Sequence, residues 1–406
     1  MTRELCAPQP LGLRTPVLHS ELSGNAVNLN LAFIGSTGVG KSVSARAVLQ
    51  AAQSNTWAAG QVGLVLRGEH FSAAGPTGAE ALRKQVLQHV IEHLQASQGY
   101  GVVVLDEAQK MHPAVLAALV PLMDSKGGGL TMPSEGGGLT QVPLKKLVVI
   151  LVCDVGHERL RALLGAGAGP VRLRAALRQE LHAKWAGQGI AEIMHSIVPF
   201  MPLSPRRVQQ VAGKYVRQLG RAWRLPLHGQ HVHTLQLPGT LQVLPAVTQY
   251  MTSMVRFSAT RVPGDGNSSA VVFAQFGARQ VHEHEDGPLR RLELLLHTRT
   301  QQLQGAAEAL LRQHSSGQPA RVWVQAGMSP GWGEANSPSP VWGTEPASAS
   351  DWRDFLADCL QQELELSVCV DSRSEALVGA SGDVQAAVPT GAHCSRAWIG
   401  RLSSSF

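Results

Sequence analysis

Residues 35–42 read Gly-Ser-Thr-Gly-Val-Gly-Lys-Ser, a run that fits G-x-x-x-x-G-K-[ST], the phosphate-binding loop. Its surroundings fit as well. Upstream, Leu29 to Ile34 (Leu-Asn-Leu-Ala-Phe-Ile) is a short run suited to a buried parallel strand. Downstream, Lys41 to Gln53 contains neither Pro nor Gly and reads as a helix. Gly35, Gly38 and Gly40 let the backbone turn tightly and approach phosphate oxygens. The N–H groups of Gly35, Ser36, Thr37, Gly38, Val39, Gly40 and the first helical turn are then expected to point at the anion. Lys41 is expected to bridge β- and γ-phosphates, and the Ser42 hydroxyl to bind Mg²⁺.

Working outward, residues 29–155 alternate strand and helix signals. Val62–Leu66 reads as a strand and Ala79–Ala96 as a helix, with Leu82, Val86, Leu87, Val90, Ile91 and Leu94 on one stripe. Val102–Leu105 (strand), Ala114–Met123 (helix) and Leu147–Val152 (strand) follow. Apolar strands alternating with helices predict an α/β fold, a parallel sheet between helices. Lys126–Gln141 holds two Gly triplets and reads as a flexible surface insertion. Residues 156–195 are mostly helical. Ser204-Pro205 starts a helix to about Leu219, with Ser at the cap and Pro at the first position.

The predicted organisation is therefore a loose N-terminal arm (1–28), an α/β domain (29–203), a smaller, mainly helical unit (204–300) and a poorly patterned extension (301–406). In the extension Arg321–Gln325 and Leu366–Val370 read as strands and Asp351–Leu364 as a helix. Residues 327–350 read as a Gly/Pro/Ser-rich linker, and the last thirty-five residues as disordered.

Composition bounds the partners. The chain has 406 residues, 44% of them hydrophobic, enough for two or three domains with a sizeable core. Its net charge of +6 is scattered rather than blocked, so no nucleic-acid surface is inferred. No apolar run reaches about 18 residues, so no membrane-spanning helix is expected. The five cysteines are odd in number and irregularly spaced, implying neither a disulfide framework nor a zinc site; reduced thiols are the expectation. The first thirty residues lack the apolar core of a secretory signal, which makes a cytoplasmic location the default. A truncated N-terminus would leave the endoplasmic reticulum lumen open.

A second motif lies at Val102-Val103-Val104-Leu105-Asp106-Glu107. An apolar strand ending in Asp at the carboxyl edge of a parallel sheet brings a carboxylate to a nucleotide cleft. Asp106 is expected to assist Mg²⁺, and Glu107 to orient and deprotonate an attacking water. A strand ending in solvated acids is the alternative. The adjacent Glu favours water as acceptor over a kinase substrate.

Val104 to Asp124, VLDEAQKMHPAVLAALVPLMD, resembles the Walker B segment of AAA+ proteins of the Clp and torsin type, where a D-E-x-x-K-x-H-P run precedes a helix. Three features are torsin-like: Lys110-Met111-His112, His70-Phe71 before the long helix, and Ile197 to Leu203, IVPFMPL. The resemblance runs from about Asn28 to Glu285. It implies an ATPase that binds Mg·ATP between an AAA+ domain and a helical lid. It also implies action on protein substrates, within a homo-oligomer or with an activating partner.

Two further sites follow from the resemblance. Phe276-Gly277-Ala278-Arg279 looks like the Clp-type sensor 2, so Arg279 is the candidate γ-phosphate sensor; it departs from the torsin Gly-Cys-Lys. Sensor 1 falls on Cys153-Asp154, where the family has Ser-Asn. An ionised Asp cannot donate to water or phosphate. About 4 Å from phosphate charge it would cost ~4 kcal/mol at an effective dielectric of ~20. The arginine-finger position falls on Ile193, within Glu192-Ile193-Met194-His195. The finger would then come from a partner, or from a shifted arginine such as Arg178. Asp154 and Ile193 motivate an alternative, an ATP-binding switch that hydrolyses little.

Other features are weaker. His282-Glu283-His284-Glu285 places residues two apart on opposite sides of a helix and reads as a solvated face rather than a metal cluster. His228, His231 and His233 read the same way. Phe71 could enter a central pore, but packing under the long helix is the expected role.

Overall fold

The computed structural model describes residues 29–54, 63–72, 76–96, 100–124, 129–133, 139–143, 146–225, 241–243, 245–261, 270–282, 287–313, 321–328, 363–371 and 393–400. The chain divides into two compact units, Met1–Pro202 and Leu203–Phe406. The arm 1–28, His228, His231, His233 and Glu283–Glu285 lie outside the described residues, as does nearly all of the helix expected over 351–364.

The first unit runs β1 (Leu29–Gly35), α1 (Lys41–Ser54), β2 (Gly63–Arg67), a 3₁₀ turn (Gly68–Phe71), α2 (Pro76–Ala96) and β3 (Tyr100–Asp106). A second 3₁₀ turn (Ala108–Lys110), α3 (Pro113–Met123), β4 (Gly129–Pro133), β5 (Leu139–Pro143) and β6 (Lys146–Cys153) follow. Then come α4 (His157–Gly165), α5 (Pro170–Lys184), α6 (Ile190–Ile193) and β7 (Ser196–Phe200). The sheet has the order β2-β3-β6-β1-β7, with every pair parallel.

Alternation along each strand explains why these strands are mainly apolar, with Asn30 of β1 a buried polar exception. Ala32, Ile34, Val103, Leu105, Val149 and Leu151 face one layer, with α2 residues Val86, Val90 and Leu94 and α3 residues Leu116 and Leu119. Leu31, Phe33, Val102, Val104, Ile150 and Val152 face the other, against Ala45 and Leu49 of α1. A strand buried on both sides has no polar face to show. Phe71 is 5% exposed and belongs to the first of these layers, the packing role expected for it.

The Gly-rich stretch 126–141 departs from the expected flexible insertion. Residues 129–133 and 139–143 pair antiparallel as a separate hairpin, Leu130 opposite Val142. Thr131, Thr140 and Val142 supply β-branched, strand-forming residues that the Gly triplets overshadowed.

The second unit opens with α7 (Pro205–Ala222), where the Ser204 hydroxyl accepts from Arg207 N–H at 3.4 Å and Pro sits in the first turn. Its buried stripe is Val208, Ala212, Val216 and Gly220. Next are β8 (Leu241–Val243), α8 (Pro245–Ser253), β9 (Phe257–Arg261), β10 (Ala270–Ala274), α9 (Arg279–His282), α10 (Pro288–Thr298) and α11 (Thr300–Gln313). Three strands close it: β11 (Arg321–Met328), β12 (Leu364–Asp371) and β13 (His393–Gly400).

This unit is more than a helical lid. Its sheet has the order β13-β12-β11-β8. Leu364, Leu366 and Val368 of β12 and Val324 and Ala326 of β11 join Leu292, Leu296, Leu303 and Ala307 of α10 and α11 in one core. The sequence signals at 321–325 and 366–370 are real strands: β11 runs on to Met328, and β12 extends the second signal at both ends. The expected linker begins inside β11. The tail taken as disordered contains β13, whose pairing with β12 is long-range and therefore invisible to local pattern. Cys369 and Cys394 face each other in that pairing and form a disulfide, which corrects the reading of all thiols as reduced.

Candidate functional site

Gly35 ends β1 beside β7, and the pairing places it opposite Phe200. A Cβ on Gly35 would lie 2.3 Å from the Phe200 carbonyl oxygen and 2.8 Å from its Cβ. No side chain fits there. Gly38 (φ 77°) and Gly40 (φ 99°) adopt left-handed conformations that turn the loop into α1. Helix bonding starts with Ser44 N–H donating to Gly40 O at 2.9 Å.

The Lys41 ammonium folds back over the loop, donating to Gly35 O at 2.7 Å and Ser36 O at 2.8 Å. Ser36 is 3% exposed, and its hydroxyl makes no hydrogen bond. A buried hydroxyl without a partner inside a glycine loop is what a ligand oxygen could satisfy. Thr37 and Val39 complete the turn, Val39 buried and Thr37 half-buried.

The second motif meets the first directly. Ser42 donates its hydroxyl proton to Asp106 Oδ1 at 2.8 Å. The two residues are 64 positions apart and come from α1 and β3, which are not consecutive elements. Asp106 is 8% exposed. A hydroxyl and a carboxylate oxygen held together at the mouth of a phosphate-type loop suit a hard, oxygen-seeking cation such as Mg²⁺.

Glu107 follows, with φ 54° and ψ 44°. Among the described residues it is the sole non-Gly residue at positive φ, a conformation that costs about 1–2 kcal/mol for a residue with a Cβ. Its carboxylate Oε2 forms an ion pair with Lys110, whose ammonium also reaches Glu69 Oε1 at 2.7 Å. The Glu69–Lys110 pair went unnoticed in the sequence. Lys110 lies within the D-E-x-x-K-x-H-P run, but Glu69 becomes its neighbour only because β2 lies beside β3.

Topology also places Asp154. Strand β6 lies between β1 and β3, with Ile34 opposite Cys153 and Leu105 opposite Leu151. The residue after β6 therefore sits on the same sheet edge, between the loop and the acidic pair. Asp154 is half-buried, and its backbone carbonyl accepts from His157 N–H at 3.2 Å. The neighbouring Cys153 thiol is pushed up to about 12, mainly by burial. The Val155 backbone hydrogen bond and the nearby Lys41 charge oppose that rise, while Asp154 adds to it. This thiol is inert at neutral pH.

The remaining candidates have distinct placements. Arg279 opens the one-turn helix α9 in the second unit and is exposed. Ile193 ends α6, half-buried, with its carbonyl accepting from Asn30 Nδ2 at 3.0 Å. Arg178 lies on α5. Its guanidinium is occupied by the backbone carbonyls of Ala191 and, at 3.1 Å, Met194, pinning α6 to α5. His282 stacks on Tyr215 with ring centroids 4.1 Å apart. Among the described residues no group of three His, Cys, Asp or Glu could hold a metal, and no helix is long and apolar enough to cross a membrane.

Residues 28–133 match the family model of the AAA domain. The matched segment runs from β1 through β4 and so contains Gly35–Ser42, Asp106 and Glu107, but not Asp154, Ile193 or Arg279. The first unit has an α/β P-loop fold of the AAA+ kind. The chaperone protein ClpB of Rhodopirellula baltica (strain DSM 10527 / NCIMB 13988 / SH1) is 28% identical over 120 residues, covering 30% of this chain and 13% of that protein. Two solved structures are also similar. A closed-state reconstruction of Hsp104 with ATPyS and FITC casein has 14% identity and a TM-score of 0.45, over 76% of this chain and 45% of that one. An S. cerevisiae Hsp104-ADP complex has 14% identity and a TM-score of 0.41, over 68% and 41%. The chain thus spans about 13% of the curated relative and under half of the Hsp104 chains.

Proposed function

We propose that this chain is an AAA+ ATPase of the Clp group that binds and hydrolyses Mg·ATP to remodel protein conformation. One observation carries the reading: the 2.8 Å hydrogen bond from Ser42 to Asp106, which joins the glycine loop to the acidic strand end. A glycine turn or a solvated acid alone would have no reason to meet the other. Mg·ATP, when bound, supplies the phosphoanhydride and a charge-neutralising cation. In this reading Lys41 and the loop N–H groups bind phosphates, Ser42 and Asp106 hold the cation, and Glu107 takes a proton from the attacking water. Asp154 and Arg279 take the sensor positions. Within the group, Lys110-Met111-His112 and the 197–203 segment favour the torsin side.

Catalysis is weak in the isolated chain. Ile193 occupies the finger position and Arg178 is tied to backbone carbonyls. A neighbouring copy or an activating partner supplies the arginine, which can contribute on the order of 10³–10⁵ in rate. A second reading, an ATP-binding switch with little hydrolysis, draws on Asp154 at the sheet edge.

Calorimetry and an ATPase assay test both. Lys41→Ala is expected to abolish ATP binding while the chain stays folded by circular dichroism; undiminished affinity would refute the phosphate-loop assignment. Glu107→Gln is expected to keep ATP affinity and lose turnover. Turnover that rises with protein concentration, or on adding a partner, supports the ATPase. Tight binding with no product in a single-turnover experiment at excess protein supports the switch.

A further inference from the structure

We infer that Lys110 is a positioning residue for Glu107: its ammonium, shared with Glu69, fixes one carboxylate oxygen and ties the candidate base to segment 68–72. The inference rests on the ATPase reading above and extends it.

The local chain is built to bring Lys110 back onto Glu107. Glu107 takes the left-handed conformation, Lys110 N–H donates to Glu107 O at 2.9 Å, and Met111 N–H donates to Ala108 O at 3.1 Å. This one-turn closure returns the side chain at 110 to the carboxylate at 107. Oε2 of Glu107 is buried and ion-paired with the ammonium, so turning the carboxylate away separates the charges. A lysine ammonium has three donors and no acceptor, so it can serve a second carboxylate at the same time. That carboxylate is Glu69.

Segment 68–72 is held to the same turn by the backbone. A Cβ at Gly68 would lie 2.1 Å from Glu107 O and 3.3 Å from Met111 N. His112 N–H donates to Phe71 O at 2.8 Å, and the Phe71 side chain is buried in the core. Glu69 therefore stays within reach of Lys110, and a displacement of 68–72 must be felt at Glu107. The hydrogen bond to Glu107 first, then that to Glu69, holds Lys110 above its ordinary range. Lys110 in turn is the largest influence holding Glu69 below the usual carboxylate range. Both stay charged at neutral pH. The side chains of Glu69 and Lys110 are 57% and 46% exposed, and pairs this open contribute little to stability. Their consequence lies in orientation, where small misplacements have large effects on rate.

Steady-state ATPase kinetics on the full chain test this. Lys110→Met is expected to lower kcat by about 10- to 100-fold with KM and ATP affinity essentially unmoved. Lys110→Arg, which keeps a cation in reach, should recover most of the loss. The exchange Glu69→Lys with Lys110→Glu separates positioning from mere bridging. It restores a pair between the two segments but sets like charges at positions 107 and 110, so kcat should stay low while thermal stability, to which so exposed a pair contributes little, stays near wild type. Wild-type kcat in Lys110→Met, or full kcat in the exchanged variant, would overturn the inference while leaving the ATPase reading intact. An inactive wild-type chain with tight ATP binding would remove the ATPase reading and this role with it.

Discussion

Replacing Gly35 by Ala probes the junction between strand, loop and neighbour more directly than any charged residue does. The added Cβ would sit 2.3 Å from the Phe200 carbonyl oxygen. Heavy atoms in good contact lie at about 3.5–4.0 Å, so the two strands must separate by about 1 Å. The β1–β7 register ends at the Gly35–Phe200 pair, so the last rung opens first. Losing one net hydrogen bond there costs about 1 kcal/mol, and the overpacking itself about 1–3 kcal/mol. A destabilisation of about 3 kcal/mol lowers the melting temperature of a unit this size by roughly 6–12 °C. Gly35's own carbonyl, which Lys41 contacts, moves with the opened rung, so ATP affinity should fall by at least about tenfold, or 1.4 kcal/mol. Differential scanning fluorimetry and calorimetry read the two effects. Gly40→Ala is the control: nothing lies within 4 Å of its added Cβ, leaving only the strain of φ +99°, about 1–2 kcal/mol. A Gly35→Ala protein that melts within a degree of wild type and binds ATP normally would refute the close approach of β7.

Two further changes have defined signs. Asp154→Asn removes a negative charge from the sheet edge and restores a donor. With up to ~4 kcal/mol at stake in an effective dielectric of ~20, turnover should rise by at least about tenfold at unchanged protein concentration; a lower rate would show the carboxylate to be useful. His93, buried on α2, has its pKa lowered from 6.5 by desolvation. The unfolded chain therefore binds the proton more readily, and stability is lost as pH falls below about 6.5, levelling off beneath the folded value. His93→Gln should flatten that acid limb in urea titrations between pH 7.5 and 5; parallel curves for the two proteins would rule out His93 as its source.

Much of the first unit was legible because its signals are local. Apolar strands of four to six residues, Pro-free helices and the Ser204-Pro205 cap depend only on neighbours in sequence. The hairpin at 129–143 was hidden by Gly triplets that resemble a linker. The sheet of the second unit was hidden for another reason: β11, β12 and β13 are separated by long segments, and the bonds that define them are long-range. The Cys369–Cys394 bridge follows from that register alone. The resemblance made Arg178 a candidate shifted finger, and only its bonds to Ala191 and Met194 give it a structural role.

Sequence by itself determined the phosphate loop at 35–42 and the acids at 106–107, because both depend on fixed spacing along one strand and its following turn. Tertiary structure decided how they act together. The sheet order β2-β3-β6-β1-β7 is not the chain order. It places Asp154 between loop and acids, brings Glu69 to Lys110 and sets Phe200 over Gly35. None of these neighbours can be read from spacing, since a parallel sheet pairs strands by burial of their faces and not by their order in the chain.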